Sequence, residues 1–227
     1  MNLHNVAMVA AITTRSICYI KKMIKSKLLP NYVLLLLNKN EVLLPGQKNT
    51  TSEKEIINLL ENANIQFGIL HNNNINSDEA IKDIMNRSEQ VFIFSGYGGV
   101  ILDKKILATG KKFLHIHGGY LPDYKGSTTN YYSLIKENMM GASAIFLTKD
   151  IDAGPILLRK KFSPPKKLNE IDHNSDSEFR AKVLLECLEN YVSLGDWKYE
   201  LEDNSGGDTF YIIHPVLKHI AILKNSN

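Results

Sequence analysis

Two histidines, one residue apart, precede a glycine pair in HIHGGYLPDYKGSTTNYY at 115–132. Imidazole titrates near neutral pH, so a histidine in a cleft is suited to moving protons. The apolar run KFLHI at 112–116 predicts a buried strand, and residues two apart on a strand lie on the same side. His115 and His117 are therefore predicted together at the carboxyl end of a strand. The alternative is that both are packed or hydrogen-bonded loop residues.

Metal binding is the second chemistry that this spacing suggests. Two histidines at i and i+2 suit two ligands of one ion, but no third Cys, His or carboxylate stands at a standard ligand spacing nearby. The sequence therefore predicts no metal site.

A second segment, GASAIFLTKDIDAGPILLRKKF at 141–162, predicts a strand, a polar turn and a strand. Asp150 and Asp152 fall in the turn, which ends at Gly154. Hydrogen bonds within the turn are one explanation for these aspartates. The other is that one carboxylate orients a histidine of the first segment and stabilises its charged form.

Apolar runs alternate with helical patterns before the histidines. Strands are predicted at 6–12, 32–37, 67–70, 91–94 and 112–116. Ser77 is predicted to cap one of the intervening helices, and a polar loop is predicted around Pro45 and Gly46. This order favours an α/β fold with a Rossmann-like, mostly parallel sheet and helices on both faces. Ligands of such sheets bind beyond the carboxyl ends of the strands.

The last third of the chain predicts a small C-terminal α+β appendage. A helix with Ala181, Leu184 and Leu188 on one face precedes a strand pair around DTFYIIHPVLKHIAIL at 208–223. We predict a catalytic domain at 1–163 and a C-terminal extension, a helix and a strand pair, at 164–227.

Composition narrows the class of protein. The net charge is only +3 and the lysines mostly alternate with acids, which argues against nucleic acid as the partner. Cys18 and Cys187 lie in apolar contexts without metal-ligand spacing, which favours a reduced, cytoplasmic protein. No export signal and no apolar run of membrane-spanning length is evident, so no membrane partner is predicted.

Taken in order, the two segments resemble the folate-dependent formyltransferase family. The resemblance lies in the strand followed by HIHGGYLPDYKG, then a helix, then GASAIFL and DIDAGPIL. It covers about the first 165 residues and is best from Val91 to Phe162. It implies that His117 and Asp152 are catalytic. The family has asparagine where this chain has His115, and since a histidine also donates hydrogen bonds, the resemblance implies that His115 holds the developing oxyanion.

The resemblance also implies the ligands. The co-substrate would be 10-formyltetrahydrofolate, without a metal, and its expected contacts are Ser95, Gly96, Tyr97, Gly98, Gly99, Asp150 and Gly154. The residues expected to bind the amine substrate are Thr13, Arg15, Tyr120, Lys125, Ser127 and Thr128. Thr13 and Arg15 precede a helix whose N-terminus favours anions. Ser127, Thr128 and Thr129 are expected to cap the next helix or, alternatively, to hydrogen-bond a substrate hydroxyl or phosphate.

The acceptor is inferred by elimination. The turn AITTRS at 11–16 lacks the glycines of the purine-pathway members, and the residues after 162 are too few for the C-terminal barrel of the tRNA-specific members. The small sugar-nucleotide N-formyltransferases resemble this chain best in size, so the expected acceptor is an amino sugar on a nucleotide, and a homodimer is possible. Two alternatives stay open: hydrolysis of formyltetrahydrofolate or transfer of another acyl group, and a non-catalytic ligand-binding member of the family.

Overall fold

A computed structural model describes residues 2–37 and 51–224, and the chain divides into two compact units between Leu114 and His115. The loop predicted around Pro45 and Gly46 lies outside the described residues. The elements up to the second histidine are β1 (Asn2–Ala11), α1 (Thr14–Lys25), β2 (Leu29–Leu36), α2 (Thr51–Asn62), β3 (Gln66–Leu70), α3 (Asp78–Met85), β4 (Val91–Ser95), α4 (Lys104–Leu107) and β5 (Lys112–His117).

Local sequence explains where these elements begin and what they bury. The apolar run of β1 from Val6 to Ala11 is wholly buried, as befits a central strand covered on both faces. The side chain of Thr13 caps α1 by accepting a hydrogen bond from the Ser16 amide. Ser77 caps α3 in the same way through Ala80, so the cap predicted there is confirmed.

The strands form a seven-stranded sheet in the order β3-β2-β1-β4-β5-β7-β8. Strand β1 pairs in parallel with both β2 and β4, and β2 pairs in parallel with β3. The predicted fold class, a mostly parallel α/β sheet with helices around it, is confirmed. The chain runs from β1 outward to β3 and then returns to β4, so the strand order reverses between β1 and β4. Crevices at such reversals are where ligands of this architecture bind.

The second unit supplies the remaining elements. They are β6 (Tyr124–Gly126), α5 (Thr129–Glu137), β7 (Met140–Phe146), β8 (Ile156–Phe162), α6 (Asp176–Leu194), β9 (Asp208–Phe210) and α7 (Pro215–Lys224). Strands β7 and β8 are antiparallel, which confirms the predicted strand, turn and strand at 141–162. A short parallel pair joins β6 to β9.

The predicted C-terminal strand pair is wrong. Only β9 is a strand there, and Pro215 begins the helix α7. Proline lacks the N–H that a strand ladder needs, whereas the first position of a helix loses nothing by its absence. The apolar residues after it lie around most of the helix instead of on one face, and several of them are exposed: Val216, Leu217, Ile220 and Leu223. Periodicity alone does not tell such a short apolar run in a helix from one in a strand.

Two further predictions bear on organisation. The predicted boundary between a main domain and a smaller appendage at 163 stays a prediction; the compact units of the structure divide between Leu114 and His115. Within residues 2–37 and 51–224, no helix combines the length and the apolar character needed to cross a membrane.

Candidate active site

His117 and Asp152 form a buried pair in the second unit. His117 ends β5, and Asp152 lies in the turn between β7 and β8. The Nδ1 atom of His117 lies 3.3 Å from Oδ1 of Asp152, and the two side chains are 5% and 10% exposed. The hairpin therefore carries the carboxylate back to the end of β5, within direct reach of the ring.

The other ring nitrogen of His117 determines its tautomer. Nε2 lies 2.8 Å from the carbonyl oxygen of Tyr124. Because a carbonyl oxygen only accepts hydrogen bonds, Nε2 carries a proton and donates it. In the neutral ring the lone pair is then on Nδ1, the atom that faces Asp152.

Electrostatics favour that neutral ring. Burial lowers the pKa of His117 below its usual value, and the nearby charge of Arg180 lowers it further, against the opposing effect of Asp152. Arg180 lies on α6 and donates from Nη1 to the carbonyl oxygen of Ile116 at 2.9 Å, which places its charge beside β5. Near pH 7, His117 can therefore accept a proton at Nδ1.

Asp152 is held by backbone and side-chain contacts. Its Oδ2 accepts a hydrogen bond from the Gly126 amide at 2.8 Å, which leaves Oδ1 toward the histidine. Its φ of 51° lies in the left-handed region, which Asp and Asn tolerate better than most residues. Asn204 donates from Nδ2 to the carbonyl oxygens of Asp152 and Gly154, at 2.7 and 2.9 Å.

His115 completes the group. One ligand-type atom from each of His115, His117 and Asp152 lies within 4.8 Å of the others. His115 is half-buried, whereas its neighbour two residues on is buried. The structure thus brings the three residues expected to be catalytic to one place, although their roles stay proposals.

Two hydrogen bonds join the loop after β5 to β7. Ser143 is fully buried and donates from Oγ to the carbonyl oxygen of Gly119 at 2.7 Å, while its oxygen accepts from the Leu121 amide at 3.0 Å. A Cβ on Gly119 would lie 2.8 Å from Nε2 of His117 and 2.7 Å from the oxygen of Tyr124. Only glycine leaves room for the hydrogen bond that sets the His117 tautomer.

The residues expected to bind substrate in this unit have protein partners. Lys125 is buried and donates to the carbonyl oxygen of Asn204 at 2.6 Å. Tyr120 packs under the Arg159 guanidinium, 4.7 Å from its ring centre. Ser127 donates its amide proton to the carbonyl oxygen of Phe210 at 2.8 Å.

The interpretation of Thr128 as a side-chain helix cap is wrong. It is the residue before α5, but it has a φ of 53° and makes no capping hydrogen bond. Its hydroxyl accepts instead from the Ile213 amide at 2.8 Å. The Thr128 hydroxyl is therefore hydrogen-bonded to the C-terminal segment and not to the first turn of α5.

The first unit groups another set of predicted residues where the strand order reverses. Arg15 donates to the carbonyl oxygen of Gly96 and lies 3.4 Å from Oγ of Ser95. Tyr97 donates from its hydroxyl to the carbonyl oxygen of Leu36 at 3.1 Å. A Cβ on Gly98 or Gly99 would meet no atom within 4 Å, so open space lies beside this loop.

Three further predicted residues have plain local roles. Thr13 caps α1, as described above. Asp150 is exposed in the β7–β8 turn, where its carbonyl oxygen accepts from the Ala153 amide at 3.4 Å. A Cβ on Gly154 would lie 1.7 Å from the carbonyl oxygen of Phe146, so the turn closes too tightly for a side chain.

Sequence reasoning did not single out Arg180 and Asn204. Arg180 lies on α6 and Asn204 in the polar segment before β9, 64 and 52 positions from their partners Ile116 and Asp152. No local pattern marks either residue, because each acts through a contact between distant segments. The burial of Asn204 between two polar neighbours is visible only in the fold.

Known proteins resemble this chain in sequence. A family model described as formyl transferase matches residues 6–175. Methionyl-tRNA formyltransferase of Thermotoga maritima is 27% identical over 134 residues, 58% of this chain and 42% of that protein. Formyltetrahydrofolate deformylase of Bacillus subtilis is 25% identical over 160 residues, 67% and 50% of the two. The chain thus spans half or less of the length of these curated relatives.

Among solved structures, a sugar N-formyltransferase from Shewanella sp. aligns with a TM-score of 0.63 and 14% identity. The alignment covers 96% of this chain and 87% of that one. At this identity the likeness concerns the fold alone.

Proposed function

This chain belongs to the formyl transferase family, and from that premise we propose that it moves a formyl group from 10-formyltetrahydrofolate to an amine of a small substrate. The observation that carries the proposal is the buried contact of 3.3 Å between Nδ1 of His117 and Oδ1 of Asp152, with His115 beside it. Formyl transfer needs a proton acceptor, a group that stabilises the acceptor's charge and a donor for an oxyanion, and these three residues match those needs.

His117 acts as the proton acceptor. Burial lowers its pKa, so the ring is neutral near pH 7 and takes the proton that the attacking amine loses. The bond between the formyl carbon and the folate nitrogen breaks, and the protonated ring returns the proton to that nitrogen as tetrahydrofolate leaves. The hydrogen bond from Nε2 to Tyr124 keeps the neutral ring in the tautomer whose lone pair is on Nδ1, beside Asp152. Asp152 stabilises the imidazolium that forms.

His115 acts as the oxyanion donor. It lies on the same strand as His117 and is less buried, which suits a group that meets the substrate. A ring N–H donates a hydrogen bond to negative charge that develops on the formyl oxygen. This assigns to a histidine the work that the family gives to asparagine.

The folate co-substrate is proposed to bind Ser95, Gly96, Tyr97, Gly98, Gly99, Asp150 and Gly154. When bound it would supply the formyl group. The open space beside Gly98 and Gly99 fits a ligand that approaches the backbone closely. The contribution of this loop to the same cleft as the histidines stays a proposal.

An amino sugar carried on a nucleotide is the proposed acceptor, bound by Thr13, Arg15, Tyr120, Lys125, Ser127 and Thr128. The guanidinium of Arg15 at the start of α1 supports an anionic group in the substrate, since a helix N-terminus attracts anions. The likeness in fold to a sugar N-formyltransferase over nearly the whole of both chains agrees with this choice.

Hydrolysis of formyltetrahydrofolate is the second candidate. The match to a deformylase covers 67% of this chain, more than the 58% covered by the tRNA-specific relative. Water in place of the amine would use the same proton acceptor. The two activities differ in whether formate appears without an acceptor.

Mass spectrometry distinguishes these candidates. The protein is incubated with 10-formyltetrahydrofolate and a panel of nucleotide-linked amino sugars, and His117→Asn serves as the matched control. If the protein transfers formyl groups, one sugar should gain the mass of a formyl group. The His117→Asn variant should not produce this formylated sugar. Formate released without an amine acceptor would favour hydrolysis. If neither a formylated sugar nor formate is formed, the proposed activity is overturned.

A further inference from the structure

His115, His117 and Asp152 offer a set of atoms that metals bind. One nitrogen from each histidine and one carboxylate oxygen lie within 4.8 Å of one another. Two histidines and a carboxylate are a ligand set that zinc enzymes use with a fourth position open to water. We propose that these three residues form a Zn²⁺ site. This inference goes beyond formyl transfer and does not depend on it.

The distance between two of the ligands already fits zinc. With zinc–nitrogen and zinc–oxygen bonds of about 2.0–2.2 Å, two ligands at a tetrahedral angle lie about 3.4 Å apart. Nδ1 of His117 and Oδ1 of Asp152 are separated by 3.3 Å. A zinc ion therefore needs no change in the spacing of this pair.

The outer contacts of these two ligands also suit a metal. His117 donates its Nε2–H to the carbonyl oxygen of Tyr124, the kind of contact that orients histidine ligands and leaves the other nitrogen for the ion. Oδ2 of Asp152 accepts from Gly126, which leaves Oδ1 toward His117. The two atoms proposed as ligands therefore face each other at 3.3 Å.

His115 supplies the third ligand. It is two residues from His117 on β5, so both rings project from the same side of the strand. Its ligand nitrogen lies within 4.8 Å of the ligand atoms of His117 and Asp152. An amide is a poor zinc ligand, so the site depends on a histidine at position 115.

Zinc and the transferred proton would compete for the same atom. Nδ1 of His117 accepts the proton in the proposed reaction and binds the ion in the proposed site. The zinc-bound protein should therefore be inactive in formyl transfer, and a chelator should restore it.

Calorimetric titration tests the site without any substrate. The chain is freed of metal with a chelator and titrated with Zn²⁺ alone. One ion per chain is expected, and His115→Asn should weaken its affinity by at least about 100-fold, since even the loss of an outer contact costs 10–100-fold. The matched control is His219→Asn, an exposed histidine on α7, which should bind as the unchanged protein does.

Cobalt gives a second measurement that needs no variant. Co²⁺ bound by these ligands in the unchanged protein should show the strong visible absorption of a tetrahedral site, and Zn²⁺ should abolish it. Equal zinc affinity in His115→Asn and the unchanged protein, or cobalt with only the weak spectrum of the hydrated ion, would overturn the proposal. Formyl transfer is measured separately on the protein freed of metal by chelation. A failure of the zinc proposal is therefore distinguishable from a failure of the proposed formyl transfer.

Discussion

Asn204 donates a hydrogen bond of 2.7 Å to the backbone carbonyl oxygen of Asp152. The same amide group donates to the carbonyl oxygen of Gly154, so one buried side chain holds two backbone carbonyls of the turn that presents the carboxylate. Its amide is thus a link between the segment before β9 and the acid of the candidate site. We therefore expect the position of Asp152 relative to His117 to depend on Asn204.

Asn204→Ala should therefore damage both stability and turnover. Two buried carbonyl oxygens lose their donor, which costs about 1–3 kcal/mol in the free energy of unfolding. Turnover should fall more than folate affinity, because Asp152 is displaced relative to His117. Denaturant unfolding and steady-state kinetics measure the two effects. The control is Asn174→Ala, an exposed residue, whose free energy should change by less than about 0.5 kcal/mol.

The carboxylate of Asp152 and the ring of His117 should each be needed for turnover. His117→Asn removes the proton acceptor, which is typically worth ~10²–10⁴-fold. Asp152→Asn should be comparably damaging, because an amide does not stabilise an imidazolium. Single-turnover rates with 10-formyltetrahydrofolate measure both. Full activity in Asp152→Asn would show that the carboxylate takes no part.

Backbone conformation separates two substitutions of Asp152. At a φ of 51°, asparagine is tolerated, whereas alanine in the left-handed region costs roughly 1–2 kcal/mol. Alanine also loses the acceptor for the Gly126 amide. Asp152→Ala should thus unfold at lower denaturant than Asp152→Asn while both are inactive. Equal midpoints would contradict the strain argument.

Asparagine and alanine at position 115 should have different effects on turnover. His115→Asn restores the donor expected from the family and should keep much of the turnover. His115→Ala should lose on the order of 10²–10³-fold, the usual effect of removing one oxyanion donor. Folate affinity, measured by thermal stabilisation, should change little in either variant, because the interaction belongs to the transition state. Unchanged turnover in His115→Ala would mean that the oxyanion is held by other groups.

Gly119→Ala should be destabilising because its Cβ would lie 2.7 Å from a backbone oxygen and 2.8 Å from Nε2 of His117. Overpacking of this kind costs about 1–3 kcal/mol. Gly98→Ala is the matched control for stability, since its Cβ would meet no atom within 4 Å. Urea midpoints of the two variants give the comparison, and equal midpoints would be evidence against the tight contact.

Acid should weaken the hydrogen bond that the Tyr124 hydroxyl donates to the Glu137 carboxylate. The hydrogen bond from Lys161 and that from the Tyr124 hydroxyl lower the pKa of Glu137 below its ordinary value. A carboxyl with a depressed folded-state pKa contributes stability above its unfolded pKa and loses it as pH falls through the folded pKa. Unfolding free energy should therefore drop below about pH 4.3, the ordinary value for glutamate.

Glu137→Gln tests that assignment. The variant should be less stable at neutral pH and should lose part of the decline on acidification. Chemical denaturation at several pH values measures the difference. A decline of the same size in both proteins would show that other carboxyls cause it.

Local sequence determined most elements and the position of the two histidines. The period of apolar residues and the caps at Thr13 and Ser77 act within a few positions, so strands, helices and the placing of His115 and His117 on one side of β5 are predictable. The same reasoning was wrong for α7, whose short apolar run has no clear period. Pro215 at its first position was the local signal that favours a helix over a strand there.

Tertiary structure decided everything that depends on distant segments. The β7–β8 hairpin brings Asp152 to 3.3 Å from His117, and the carbonyl oxygen of Tyr124 selects the ring nitrogen that carries the proton. The contacts of Arg180 with β5 and of Asn204 with the Asp152 turn arise in the same way. The sequence supplies these side chains, but their distances follow from strand order and loop closure, which no local spacing encodes.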